Sequence, residues 1–194
     1  MKVVLASGNA GKVREFAALL AARDIEVIPQ TDFGIVTPAE TGATFLDNAL
    51  LKARHAASAS GLPALADDSG IEVDALEGRP GVWSARYAGE QASDAANMAL
   101  LLRELAGVPD ERRTARYRCV LVLVRDAADP APLIASGVWE GRVLRAPRGA
   151  EGFGYDPLFQ PEGLAISAAQ LPAAQKNHLS HRAQALRALL AALK

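Results

Sequence analysis

The chain opens on Met1-Lys2-Val3-Val4-Leu5-Ala6, an apolar run of strand length. It then passes through Ser7-Gly8-Asn9-Ala10-Gly11-Lys12 into a segment with Phe16, Leu19 and Leu20 at helical spacing. The same reading predicts strands near 2–6, 25–28 and 63–67 and helices near 12–22 and 44–59. A further helix is expected near 93–106, opened by Ser93 and closed by Gly107. Strand-like runs follow near 114–125 and 132–146, with a short one near 156–160. A final helix runs on from Ser180, which stands in the N-cap position. The order is α/β, with an antiparallel or mixed second half. The continuous apolar run Cys119–Val124 marks a central strand covered on both faces.

Polar residues that interrupt these patterns carry the candidate chemistry. Leu65-Ala66-Asp67-Asp68-Ser69-Gly70 places two adjacent acids at the end of a short apolar run. Consecutive side chains of an extended segment point to opposite faces, so one acid is expected to hold structure while the other meets a ligand. A carboxylate at a strand end can bind Mg²⁺ and can take a proton from an attacking water. An Asp-Ser-Gly turn is the alternative. The order strand, Ser7 to Lys12, helix suits a phosphate cradle, in which glycines let backbone N–H groups approach an anion and Lys12 adds a charge. It is not a Walker loop, because the glycines are three apart and Val13 follows the lysine.

The helix at 44–59 puts Phe45, Asn48, Ala49 and Lys52 on one stripe, so two polar groups break an apolar face. Such stripes border clefts. Lys52 could reach a phosphate, Asn48 could orient a neighbour or a water, and Glu40 just upstream could share a metal with Asp68; alternatively, Lys52 pairs with an acid on the helix surface. Gly152-Phe153-Gly154-Tyr155-Asp156 sets an aromatic between glycines, free to present its face to a flat ligand such as a nucleobase. Lys176, His181 and Arg182 cluster near the start of the last helix, where the dipole disfavours cations. Either they face an anion or a base edge, or they are simply solvated.

Taken with Pro80-Gly81-Val82-Trp83-Ser84-Ala85-Arg86-Tyr87, these segments resemble the Ham1-like (inosine triphosphate pyrophosphatase) family, over nearly the whole chain from Val3 to Leu190 and in the family's order. The resemblance implies a single domain over 1–194, an elongated two-lobed molecule around a long curved mixed sheet with flanking helices and a central substrate cleft. It also implies Mg²⁺-dependent hydrolysis of non-canonical purine nucleoside triphosphates to the monophosphate and pyrophosphate. On that reading Asp68 is proton acceptor and metal ligand, Glu40 is a second metal contact, and Lys52 shares in catalysis. Ser7, Gly8, Asn9, Ala10, Gly11 and Lys12 hold phosphates with Lys52, and Ser69 touches the nucleotide. Phe153 stacks on the purine within the segment Phe153, Gly154, Tyr155 and Asp156, and Asp156, Lys176, His181 and Arg182 read the base edge. Departures from the family pattern are Trp83, where a smaller residue is usual, and Gln170 and Gln175, where acids are frequent.

Composition narrows the field further. With 194 residues, half of them hydrophobic, the chain can bury a sizeable core. Its 21 Lys and Arg are balanced by 22 acids, which argues against a non-specific nucleic-acid binder. The one cysteine, Cys119, lies in a strand-like run and reads as a packing residue. No apolar stretch approaches the length of a membrane span and no signal peptide opens the chain, so the expected location is the cytoplasm. The family favours a homodimer. Rival readings are a Maf-like pyrophosphatase preferring modified pyrimidines, a P-loop phosphotransferase, and a nucleotide-binding sensor without catalysis.

Overall fold

A computed structural model describes residues 1–20 and 25–193. Its elements are β1 (Lys2–Leu5), α1 (Ala10–Leu20), β2 (Glu26–Pro29), α2 (Phe45–Ser60), β3 (Ala64–Val73), α3 (Asp94–Glu104), β4 (Thr114–Val124), β5 (Leu133–Val143), β6 (Phe159–Pro161), α4 (Ala173–Leu179) and α5 (His181–Ala192). The strands form one mixed six-stranded sheet in the order β2-β1-β3-β4-β5-β6, flanked by helices. β1 runs parallel to both β2 and β3, with Leu5 opposite Leu65, and β5 is antiparallel to β6. The fold is α/β, as the pattern predicts.

Several expectations change. The end expected for the first helix, near residue 22, lies outside the described residues. The strand expected to stop at 67 continues to Val73, so the acid pair sits inside a regular strand and there is no Asp-Ser-Gly turn. α3 does start at the Ser93 cap, whose hydroxyl accepts from the Ala96 N–H, but it ends at Glu104 with Leu105 as its C-cap, without a left-handed Gly107. Lys176 lies in a helix of its own, α4, and Ser180 is the extended residue between α4 and α5.

Two compact units divide the chain: Met1–Asp68 with Cys119–Gly137 and Arg182–Lys194, and Ser69–Arg118 with Val138–His181. In the first, the two faces of the sheet are covered separately. Val3, Leu5, Leu65, Cys119, Leu121 and Leu123 meet Phe16, Leu20, Ala185, Leu186 and Leu189 of α1 and α5. On the other face Val4, Ala6, Ala64, Ala66, Val122 and Val124 meet Ala49, Ala53, Ala56 and Ala57 of α2. Cys119–Val124 is thus covered on both faces, as its apolar run predicts. The alanines carry no bulk, so α2 lies close against the strands.

The second unit is built round Ile71, Val73, Leu101, Leu105, Tyr117, Trp139, Leu158 and Phe159. Arg113 crosses this core's edge, only 1% exposed. Its guanidinium donates to the carbonyls of Val143 (2.9 Å), Leu105 (2.7 Å) and Leu144 (2.9 Å), so it satisfies the open end of α3 and joins it to β5.

Replacing Arg113 by Met keeps bulk but strands these acceptors. A loss of about 2–4 kcal/mol is expected, seen as a melting temperature lower by roughly 5–15 °C. A shift under about 2 °C by calorimetry would show that water replaces the guanidinium at little cost.

Candidate active site

Within the first unit, the pleat of β3 sends its two acids to opposite faces. Asp67 follows Leu65 toward α1 and α5, and Asp68 follows Ala64 and Ala66 toward α2. α2 starts in a capping box, with Thr44 accepting from the Asp47 N–H and the Asp47 carboxylate accepting from the Thr44 N–H. From this fixed start Asn48 and Lys52 arrive one turn apart on the buried face. The Lys52 ammonium donates to Asp68 Oδ1 and to Glu40 Oε1, each at 2.7 Å. Asn48 Nδ2 donates to the second Asp68 oxygen at 3.3 Å, while its Oδ1 accepts from the Gly42 N–H at 2.8 Å, which pins the segment carrying Glu40. A Cβ on Gly42 would lie 2.7 Å from that Asn48 oxygen, so the close approach requires glycine.

Electrostatics separate the two acids. Burial is the largest influence on both and favours their neutral forms. At Asp68 burial prevails over Lys52, with Glu40 adding to it, and the carboxyl is pushed up to about 6. At Asp67 the charges of Arg182 and Lys12 overcome burial and hold the carboxyl well below its usual range. Lys52 is raised, because Asp68 and Glu40 together outweigh a burial that by itself would lower it. The Cys119 thiol, buried beside the Asp67 charge, is held well above its ordinary value, which suits a packing residue and not a nucleophile.

The segment Ser7 to Lys12 spends part of its hydrogen-bonding capacity within itself. The Asn9 side chain caps α1, its Oδ1 accepting from the N–H groups of Gly11 (2.8 Å) and Lys12 (3.1 Å), and Ser7 Oγ accepts from the Asn9 N–H (3.2 Å). The Lys12 ammonium donates to Asp67 at 2.5 Å. Arg182 is buried and not solvated. It is 2% exposed, with Nε donating to Asp67 at 2.7 Å and Nη1 to Glu15. The acceptor that a cation in the first turn of α5 calls for is therefore supplied by two carboxylates of the protein.

In the second unit, Gly152 (φ 80°) and Gly154 (φ 63°) take the left-handed backbone that lets Phe153 stand between two sharp turns. Asp156 Oδ2 accepts from the Phe153 N–H (3.0 Å) and from the Lys176 ammonium (2.6 Å), which lies 5.0 Å from the centre of the Phe153 ring. The Gly154 N–H donates to Asp94 at 2.6 Å. Tyr155 is a core residue whose hydroxyl donates to the Ser84 carbonyl at 2.9 Å, so its side chain fastens the segment. His181 stacks on Tyr117, centroids 4.6 Å apart and 9° from parallel. Ser69 is the first residue of this unit and is half-buried.

Glu15 and Asp94 escaped the sequence reading. Glu15 had a signal, since it lies one turn from Lys12 on α1; Asp94 reads only as an ordinary acid in a helix's first turn. Of the departures, Gln170 closes a capping box with Ser167, a task for which Gln and Glu serve alike, Gln175 is exposed, and Trp83 is exposed with the Arg86 guanidinium 4.4 Å from its ring.

A family model described as the Ham1 family matches residues 3–192. The dITP/XTP pyrophosphatase of Photobacterium profundum is 54% identical over 193 residues, covering 100% of this chain and 98% of the relative. That of Shigella flexneri is also 54% identical, with the same coverage. Among solved structures, a HAM1 protein from Coxiella burnetii superposes with a TM-score of 0.91 at 49% identity, covering 100% of this chain and 98% of the other.

Replacing Asp68 by Asn is expected to lower turnover by about 10²–10⁴-fold, the range for losing a positioned base. The folded-state pKa of Asp68 lies above the unfolded value, so its ionisation disfavours folding and that effect is complete above about pH 6. The Asn variant, measured in chelator at pH 8, should then be at least as stable as the wild type, since Glu40 still pairs Lys52. Turnover near the wild-type rate would remove Asp68 from the chemistry. Gly152→Ala would drive its Cβ to 2.1 Å from Asp156 Oδ2 and should weaken nucleotide binding at least tenfold by equilibrium titration; unchanged affinity would dissociate this loop from the ligand.

Proposed function

We infer that this chain, which belongs to the Ham1 family, is a hydrolase that cleaves non-canonical purine nucleoside triphosphates to the monophosphate and pyrophosphate. Such an enzyme clears deaminated purines from the nucleotide pool. The observation that carries the reading to particular residues is the cluster of buried Asp68 on β3, buried Lys52 on α2 and half-buried Glu40 from the segment before α2.

Water adds to the α-phosphorus, its proton passes to Asp68, and the bond from that phosphorus to the bridging oxygen breaks to release pyrophosphate. A carboxyl lifted to about 6 is ionised at neutral pH yet basic enough for this task. Glu40 and Asp68 would hold Mg²⁺. Two carboxylates already sharing one cation suit an ion that takes one or two protein carboxylates and completes its shell with water and phosphate, although the described residues contain no group of three or more His, Cys, Asp or Glu placed for a metal. When bound, the ion neutralises phosphate charge. Lys52 steadies both acids, and the segment Ser7, Gly8, Asn9, Ala10, Gly11 and Lys12 meets the phosphates, with Ser69 against the nucleotide.

For the base, we assign stacking to Phe153, with Gly154, Tyr155 and Asp156 shaping its loop and Lys176, His181 and Arg182 reading the edge. Donors aimed at a 6-oxo group match hypoxanthine and xanthine and oppose the 6-amino group of adenine. We further propose a homodimer, on the family resemblance alone, and a cytoplasmic location, which the single buried thiol suits. Among the described residues no helix is long and apolar enough to cross a membrane.

A pyrophosphate-release panel with Mg²⁺ tests the substrate class. Each unpaired buried donor costs about 1–3 kcal/mol, so kcat/KM for inosine, deoxyinosine and xanthosine triphosphates should exceed that for adenosine triphosphate by about 100-fold or more. Equal turnover of all purines would overturn the selectivity, and binding without pyrophosphate release would favour a sensor. Lys12→Ala should weaken turnover of every triphosphate, because each presents the same phosphates to it. Undiminished turnover of any of them would remove Lys12 from the phosphates.

A further inference from the structure

Lys12, Asp67, Arg182 and Glu15 form a ring of alternating charge that closes through the α1 backbone. Lys12 and Glu15 stand one turn apart on α1. Lys12 donates to Asp67 Oδ1 at 2.5 Å, Arg182 Nε donates to Asp67 Oδ2 at 2.7 Å, and Arg182 Nη1 returns to Glu15 on the helix from which the ring began. The Asp67 side chain is wholly buried and that of Arg182 2% exposed, whereas Lys12 and Glu15 are each 15% exposed. Cys119 Sγ–H adds a donor to Asp67 at 3.4 Å. Two cations and two anions balance, which allows the burial.

We infer that Asp67 is a positioning residue that couples Lys12 to Arg182, so that phosphate binding and base selection are set by one shared carboxylate; this rests on the assignment of those two cations to the nucleotide. A ring needed only to hold the fold could be apolar, since well-packed hydrophobic residues replace buried ion pairs at little or no loss. Here both cations stand among the residues assigned to substrate, and both are oriented by opposite oxygens of the same group. Asp67 also adjoins Asp68 in an unbroken strand, so its placement fixes the neighbouring catalytic acid. Any change in how Asp67 holds one cation alters the hold on the other.

A double-mutant cycle tests this with Lys12→Met, which leaves Asp67 one cationic partner, and Arg182→Lys, which keeps a cation but removes the planar fork that joins Asp67 to Glu15. It is measured on kcat/KM and, without nucleotide, on the urea-unfolding equilibrium. The expected result is a departure from multiplicative effects of at least about tenfold in both. Multiplicative effects in both overturn the inference. Coupling in kcat/KM alone means that bound nucleotide, and not Asp67, links the cations; coupling in unfolding alone means that the ring is only structural. Asp67→Asn should in addition bring the ratio of kcat/KM for inosine over adenosine triphosphate down at least tenfold, and retention of that ratio in a folded variant counts against the inference. If Asp67→Asn does not fold, the cycle decides alone. A wild type that does not prefer inosine triphosphate refutes the base-reading assignment instead, while the cycle can still be scored on any triphosphate turned over, or on unfolding.

Discussion

Two carboxylates side by side in a strand buried on both faces can both be ionised only if each face supplies a cation. That requirement organises the first unit. The pleat of β3 admits no alternative: Asp67 must face one layer of helices and Asp68 the other. α1 and α5 therefore bring Lys12 and Arg182 to one side, and α2 brings Lys52 to the other. Hydrophobic burial places the helices but constrains their register along the axis less sharply than a buried charge pair does. The charge pairs choose the register, because a buried acid without its partner is far more costly than an imperfect apolar contact.

The same arrangement divides labour between chemically identical residues. Asp67 has two strong cations and is held firmly ionised, which fits a group that orients others. Asp68 shares one ammonium with Glu40, and the second acid dilutes that cation's effect. It is left near 6, able to hold and release a proton close to neutrality. The contrast depends on α2 lying close to the sheet, which its alanine face permits. A larger side chain at Ala49 or Ala53 would lift Lys52 away from both acids.

The second unit reaches its local order by other means. Phe153 is displayed by a backbone that only glycine adopts easily at 152 and 154, and the turn is tied by its N–H groups to Asp156 and Asp94 and by Tyr155 to Ser84. Asp156 is local to the turn, whereas Asp94 and Ser84 come from distant positions of the chain. A hydrophobic ring is thereby held half-buried without being absorbed into the adjoining core.

Much of this could be read from the chain. Period-two and period-3.6 patterns located nearly every strand and helix, since the layered core imposes them directly on the residues. The opposed faces of Asp67 and Asp68 followed from the geometry of an extended chain. Lys52 and the Phe153 loop stood out as polar or aromatic residues where the local pattern has no use for them, and Glu40 as a second acid just upstream of the helix that carries Lys52. Only tertiary structure could decide which acid met which cation, because a pairing such as Arg182 with Asp67 spans 115 residues and leaves no local trace. The same holds for the continuation of β3 to Val73: Asp-Ser-Gly favours a turn by itself, and neighbouring strands override that preference by hydrogen-bonding the backbone. Local pattern thus determined which groups must be satisfied, and three-dimensional packing decided by whom.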